Sequence, residues 1–279
     1  MKRCFVVLNV VLLLLFSCTG KKAGQTVEVP TDSVIDSTDL AVTDTMELLI
    51  TETPMPRAAD AMFDDFIFNF SANKKLQRER IVFPLRTIEG GETRLTEKNQ
   101  WKMEHFFMRQ GYYTLLFNGD KQMSLMKDTA VNEAVVEKIQ LRKNRVMNYH
   151  FLRIKGAWMM TEVNVTPLEE NANASFLKFY QRFVTDSVFQ EHSINETVQF
   201  VGPDPDDDFS MMEGVITPDT WEAFAPTLPS KLLYNIVYGK PKPAGDEQIF
   251  LMRGVSNGLE LELRFKKVAG RWLLMKMTT

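Results

Sequence analysis

Cysteine is nearly absent from this chain of 279 residues, and its two copies, Cys4 and Cys18, both lie close to the start. The rest of the chain therefore offers no thiol, which excludes disulfide bonds, thiolate nucleophiles and cysteine-bound zinc from a folded domain. Basic residues are not in excess either, because 33 Lys and Arg face 36 Asp and Glu. A formal charge of −3 lacks the strongly basic character that nucleic acid binding needs, so we predict no nucleic acid partner.

Histidine is scarce, and His105, His150 and His192 stand too far apart to form a zinc-binding pair. Residues 254–258 fit the G-x-S-x-G pattern of a hydrolase nucleophile, but neither His nor Asp follows Ser256 to complete a triad. The Asn-Gly pair at 257–258 instead predicts a hairpin turn. The sequence thus predicts no catalytic residues, no metal site and no cofactor.

The apolar run from Cys4 to Phe16 is shorter than the roughly 20 residues of a membrane-spanning helix. It follows Lys2-Arg3 and ends at a small residue, which is typical of an export signal. The ending Leu15-Phe16-Ser17-Cys18 resembles the bacterial lipoprotein box, in which cleavage before the cysteine leaves a lipidated thiol. This resemblance implies a signal peptide over 1–17 and a palmitate-bearing Cys18 that anchors the protein to a membrane. An ordinary secretory signal is the alternative.

Residues 18–58 contain no aromatic side chain, and the stretch 19–57 carries a net charge of −4. Such a segment cannot bury a core, so we predict a disordered, acidic, threonine-rich tether. Thr19-Gly20-Lys21-Lys22 lacks the early acidic run that some bacteria use for surface export. We therefore expect a periplasm-facing envelope protein, with surface exposure as the alternative.

Two stretches of the remaining chain repeat one pattern. Phe63, Phe66, Ile67 and Phe70 follow the spacing of one helix face, and an equivalent aromatic stripe recurs 113 residues later. The second stripe consists of Phe176, Phe179, Tyr180 and Phe183. A period this long indicates a duplicated domain rather than a solenoid. We predict two tandem domains over 59–168 and 173–279.

Each stripe is followed by matching landmarks in the same order. They are Gln77 and Gln190, then Trp101 and Trp221, then the Gly-x-Trp segments 156–158 and 270–272. We expect a helix around the first Trp of each copy, with His105 on the same face as Trp101. Leu259 to Lys266 alternates apolar and charged residues, which predicts a half-buried strand before the last Gly-x-Trp segment.

A long helix over a bent antiparallel sheet that ends in a Gly-x-Trp hairpin resembles the nuclear-transport-factor-2-like (NTF2-like, SnoaL-like) cone fold. The resemblance implies an α+β fold in which helices pack on a curved antiparallel sheet, with a cystatin-like fold as the rival. Signal, tether and tandem copies together resemble an uncharacterised family of exported lipoproteins in this fold group.

Cone folds enclose an apolar cavity, so the resemblance implies non-catalytic binding of a small apolar ligand or of an envelope protein. The alternatives are a SnoaL-like enzyme that acts on a small hydrophobic substrate and a purely structural interaction module. The closing strands are apolar on both faces, and we therefore expect their second face to meet the sister domain. The candidate interface residues are Trp158, Met160, Trp272 and Leu274.

Overall fold

The computed structural model describes residues 55–204, 206–243 and 245–279. The predicted signal peptide at 1–17, Cys18 and most of the predicted tether at 18–58 lie outside these residues. Both aromatic stripes form helices, as their spacing predicts. The first stripe lies on α1, which spans Phe63–Ala72. In α1 the stripe residues are all buried, because they face the underlying sheet.

The remaining helices are short. They are α2 (Lys74–Arg80), α3 (Asp120–Met123), α4 (Ala174–Phe183, the second stripe), α5 (Ser187–Glu191) and α6 (Trp221–Phe224). α2 and α5, which follow the two stripe helices, each begin with a side-chain cap. Asn73 Oδ1 accepts a hydrogen bond from Leu76 N at 2.9 Å, and Asp186 Oδ1 accepts one from Phe189 N at 2.9 Å. None of the described helices is long and apolar enough to cross a membrane.

The helix predicted around Trp101 is wrong. Trp101 N donates to Glu97 O in a single turn that does not continue, residues 101–105 form no helix, and a 3₁₀ turn begins only at Phe106. The physical reason is that the backbone N–H and C=O of Glu104 both bind the side chain of Gln77 instead of helical partners. His105 consequently shares no helix face with Trp101.

In the part of the chain that the structure describes, twelve strands form a single sheet. Those of the first half are β1 Ile81–Glu89, β2 Glu92–Thr96, β3 Tyr112–Phe117, β4 Glu133–Gln140, β5 Arg145–Ile154 and β6 Ala157–Pro167. Those of the second half are β7 Ile194–Asp204, β8 Asp207–Ile216, β9 Leu232–Tyr238, β10 Glu247–Gly254, β11 Glu260–Val268 and β12 Arg271–Thr278. Their order across the sheet is β2-β1-β6-β5-β4-β9-β3-β10-β11-β12-β7-β8.

The sheet is mixed, which corrects the antiparallel prediction. β1 runs parallel to β6 and β7 runs parallel to β12, whereas the hairpins β4-β5-β6 and β10-β11-β12 are antiparallel. Strands joined by a tight turn must run antiparallel. The sequence between β1 and β6 contains β2 to β5, so the direction of this pair is not constrained in that way.

The central strands are exchanged between the halves. β9 of the second half pairs with β4 over seven residue pairs, and β3 of the first half pairs with β10 over six. Each exchanged strand is buried on both faces, because each side of the sheet carries its own core. One core packs under α1 and the other under α4, and residues of β3 contribute to both: Leu115 to the first and Leu116 to the second.

Candidate functional site

Aromatic side chains fill both cores beneath the helices. Phe66, Phe70 and Trp158 have no exposed surface in the first core. In the second core the ring centroids of Phe176 and Phe265 lie 5.2 Å apart. Because the rings pack against one another, the protein's own side chains occupy the interior that an apolar ligand would use.

The four candidate interface residues lie in these cores. Trp158 packs edge-on against Phe63 of its own half with a centroid distance of 4.9 Å, and Met160 is buried in the same core. Trp272 packs edge-on against Phe176 at 5.5 Å, and Leu274 belongs to the second core. The main contacts between the halves are made by the exchanged strands β3 and β9.

A buried amide organises the chain between α2 and β3. Gln77 has no exposed surface, and its Nε2 donates to Phe70 O at 2.9 Å and to Glu104 O at 2.7 Å. Its Oε1 accepts from Trp101 Nε1 and from Glu104 N, both at 3.1 Å. In the second half Trp221 Nε1 donates to Gln190 Oε1 at 2.9 Å. The same pair of residue types is therefore joined in each half.

Glu104 is the centre of a polar cluster at the rim of the first core. Lys138 Nζ lies 3.0 Å from Glu104 Oε2, and the Tyr149 hydroxyl donates to the same oxygen at 3.0 Å. Burial first, and then the Glu104 charge, raise the pKa values of Tyr149 and Tyr234. The carboxylate is a hydrogen-bond acceptor whose partners are all supplied by the protein, which makes it a poor general base.

A buried carboxylate lies where the halves meet. Glu137 on β4 is 3% exposed, and its two oxygens accept hydrogen bonds from Asn171 Nδ2 and Asn235 Nδ2, each at 2.7 Å. Asn235 belongs to the exchanged strand β9, and Asn171 lies between the halves. Burial raises the pKa of Glu137 above its ordinary value.

One open space lies on the outer face of the second half. A cleft of about 520 Å³ crosses β10, β11, β12 and β7, on the face opposite the second core, with Gly119 of the first half at its border. Its charged lining comprises Arg264, Lys266, Lys276 and Glu247, and its polar lining includes Asn195, Thr197 and Gln199. Cleft volumes of this order suit a small ligand.

Arg264 is fixed at the border of this cleft. Its guanidinium lies 2.9 Å from Asp120 Oδ1 and also contacts Glu262, and these two hydrogen bonds raise its pKa. Asp120 begins α3, a helix of the first half. The Arg264–Asp120 pair therefore connects the two halves beside the cleft. The alternation of Leu259 to Lys266 places Arg264 on the polar face, but it does not indicate Asp120 as its partner.

His150 and His192 do not line the cleft. His150 is half-buried on the outer face of the first half, and burial lowers its pKa despite the nearby Glu162. His192 Nδ1 lies 2.7 Å from Val188 O at the end of α5. Ser256 lies in the predicted turn between β10 and β11. Within the described ranges, no group of three or more His, Cys, Asp and Glu side chains could hold a metal ion.

Comparison with known proteins supports the fold. A family model described as a domain of unknown function, DUF4348, matches residues 42–279. An NTF2-like protein from Bacteroides fragilis NCTC 9343, solved by crystallography at 2.15 Å resolution, is 41% identical in sequence. The match has a TM-score of 0.73 and covers 81% of this chain and 98% of that chain. No curated protein matches. The α+β, NTF2-like part of the predicted fold is thus confirmed.

Proposed function

We propose that this chain, which belongs to the DUF4348 family of NTF2-like proteins, is an envelope lipoprotein that binds a ligand without catalysis. In this proposal Cys18 carries the lipid after removal of 1–17, and residues 18–58 tether the folded part on the periplasmic side. The two halves, 59–168 and 173–279, are tandem NTF2-like copies.

The cleft over β10, β11, β12 and β7 is the observation that carries the binding function. It offers about 520 Å³ of space lined mainly by polar side chains, whereas the interiors beneath α1 and α4 are filled by buried rings. We therefore place the ligand in the cleft and expect it to be polar, rather than the apolar molecule that a cone cavity would take.

Matching contacts in the two halves support the duplication. The Trp101–Gln77 hydrogen bond recurs as Trp221–Gln190, and the strand order β1-β6-β5-β4 recurs as β7-β12-β11-β10. A duplicated copy need not keep every function of the other. The cleft in the second half is then a specialised feature of one copy.

Hydrogen bonds from the protein's own side chains and backbone already engage the two carboxylates described above. Glu104 accepts from Lys138, Tyr149 and Phe106 N, and Glu137 accepts from two asparagine amides. A general base must lie within hydrogen-bond reach of a substrate, and neither carboxylate lines the cleft. A SnoaL-like enzyme would need one of these sites to open.

Native mass spectrometry of the protein purified from envelopes tests the proposal. We expect a retained small molecule, and we expect Thr197→Trp, which fills the cleft from β7, to remove it. Thr93→Trp on the exposed strand β2 is the matched control and should retain it. Retention of the molecule by both variants would place the ligand elsewhere.

Membrane anchoring has its own test. Cys18→Ser should abolish incorporation of labelled acyl chains and should release the protein from the membrane fraction. If the variant still incorporates label and sediments with membranes, Cys18 is not the anchor.

A protein partner is the second candidate ligand, because β8 is an open edge of the sheet. Met211, Met212 and Val215 on this strand are 53%, 40% and 61% exposed. Exposed apolar residues on an edge strand favour addition of a strand from another chain. A photo-crosslinker at position 215 should then capture one partner in cells, and a crosslinker at position 93 on the other edge should not.

A further inference from the structure

Two rows of side chains occupy matching places in the two halves. In the first half the row runs across β4, β5, β6 and β1 through Val135, His150, Glu162 and Arg86. In the second half it runs across β10, β11, β12 and β7 through Ile249, Arg264, Lys276 and Gln199. Both rows lie beside the same irregularity, between His150 and Phe151 and between Arg264 and Phe265.

The first row is electrostatically balanced. Glu162 lies between His150 and Arg86, and the Arg86 guanidinium approaches Glu162 Oε2 to 3.6 Å. Opposite charges on neighbouring strands stabilise a sheet.

The second row contains no acid. Arg264 and Lys276 stand directly opposite each other, and Gln199 occupies the place that Arg86 has in the first row. Like charges opposite each other in a sheet are destabilising. The first half shows that the fold accepts an acid at the place of Lys276, so the fold itself does not require the two cations to face each other.

All four members of the second row line the cleft. With Lys266 added, the lining holds three cations and the single carboxylate of Glu247, which lies 3.9 Å from the Lys266 amino group. Asp120 and Glu262 engage Arg264. Within the described residues the Lys276 amino group forms no ion pair shorter than 4.0 Å.

We infer that the cleft binds an anionic ligand through a phosphate or carboxylate group that is held by Lys276 and oriented by Arg264. The inference rests on the proposed binding function and specifies the chemistry of its ligand. Asn195, Thr197 and Gln199 supply neutral hydrogen-bonding groups beside the cations. A small polar molecule with one oxyanion group fits this lining better than an apolar one.

Equilibrium dialysis of the full chain against radiolabelled inorganic phosphate tests the inference. We expect binding by the wild type and at least tenfold weaker binding by Lys276→Glu, which copies the acid of the first row. Lys276→Gln, which removes the charge without adding one, should also weaken binding. Lys98→Glu changes the net charge equally on an exposed turn and should bind as the wild type does.

Thermal unfolding of the same variants separates a lost ligand site from a damaged fold. Lys276→Gln should melt close to the wild type, because the Lys276 amino group forms no ion pair shorter than 4.0 Å with a described residue that the substitution would break. Loss of phosphate binding by Lys276→Gln without a lower melting temperature supports the inference. Unchanged phosphate binding by Lys276→Glu, or no binding by the wild type, would overturn it.

The source of the anion can be assigned with vesicles. If Cys18→Ser protein sediments with phosphatidylglycerol vesicles but not with phosphatidylcholine vesicles, and Lys276→Glu abolishes this, the anion is a lipid headgroup. If it sediments with neither while phosphate binding persists, the ligand is soluble. A molecule that is lost from Thr197→Trp but retained by Lys276→Glu would support ligand binding in the cleft. The same result would refute the inference that the ligand is an anion.

Discussion

Trp101 Nε1 donates a hydrogen bond to Gln77 Oε1 over 3.1 Å, across 24 residues of chain. Through the same amide, Gln77 also holds the backbone N–H and C=O of Glu104. The Gln77 side chain thus binds backbone groups that a helix around Trp101 would need for its own hydrogen bonds. It also sets the position of Glu104 beside Lys138 and Tyr149.

Gln77→Leu should therefore destabilise the first half strongly. Four polar groups, namely Phe70 O, Trp101 Nε1 and the N–H and C=O of Glu104, would lose their hydrogen bond to Gln77. Each such group that is left buried and unsatisfied costs about 1–3 kcal/mol. We expect a loss of about 3 kcal/mol or more in the free energy of unfolding, measured by urea denaturation.

Gln190→Leu is the matched control in the second half. Gln190 is only half-buried and accepts a single side-chain hydrogen bond from Trp221, so its loss should cost about 1 kcal/mol. Equal losses for the two variants would contradict the central role assigned to Gln77.

The aromatic stripes lead to a second prediction. Phe70 and Phe183 have no exposed surface, and each faces the sheet from its helix. Phe70→Ala and Phe183→Ala should each lower the free energy of unfolding by about 3–5 kcal/mol, the range for truncating a buried Phe. Val188→Ala on the exposed face of α5 is the control and should be near neutral. A near-neutral result at either Phe would mean that its stripe does not form the core.

Glu137 predicts a dependence of stability on pH. Because burial raises the folded-state pKa of Glu137, its favourable contribution is present below the ordinary value of 4.5 and is lost as the pH rises through the folded pKa. Glu137→Gln cannot ionise. Its stability relative to the wild type should therefore increase as the pH rises above the ordinary pKa of 4.5, measured as the difference in unfolding free energy.

A difference between Glu137→Gln and the wild type that stays constant with pH would show that Glu137 keeps its ordinary pKa when folded. Glu133→Gln is the control on the same strand, because Glu133 is more exposed than Glu137 and should show little change.

The parts of the fold that depend on local pattern are predictable from the sequence. The stripe of α1 and the alternation of Leu261, Leu263 and Phe265 each report the burial of one face, which requires no knowledge of distant neighbours. The 113-residue recurrence likewise requires only the order of Phe, Gln and Trp.

The exchange of β3 and β9 is not predictable in this way, because a strand buried on both faces does not indicate which half covers it. The unbroken burial of Leu115 to Phe117 is consistent with cover on both faces but names no partner. The cleft is not predictable from the sequence for a related reason. Lys276 faces Arg264 only because the register shifts by one residue beside Phe265, and a shift of one residue reverses the face that a strand residue occupies.

The central claim is that the ligand occupies the cleft on the outer face of the second half, beside Lys276, and not the interior beneath α1 or α4. A crystal structure of the protein purified from envelopes without removal of its ligand tests this claim most directly. The account predicts electron density for a polar, anionic molecule against Arg264, Lys276 and Thr197, with Phe66 and Phe176 undisplaced. Density beneath α1 or α4, with the rings of Phe66 or Phe176 moved aside and the cleft empty, would contradict it.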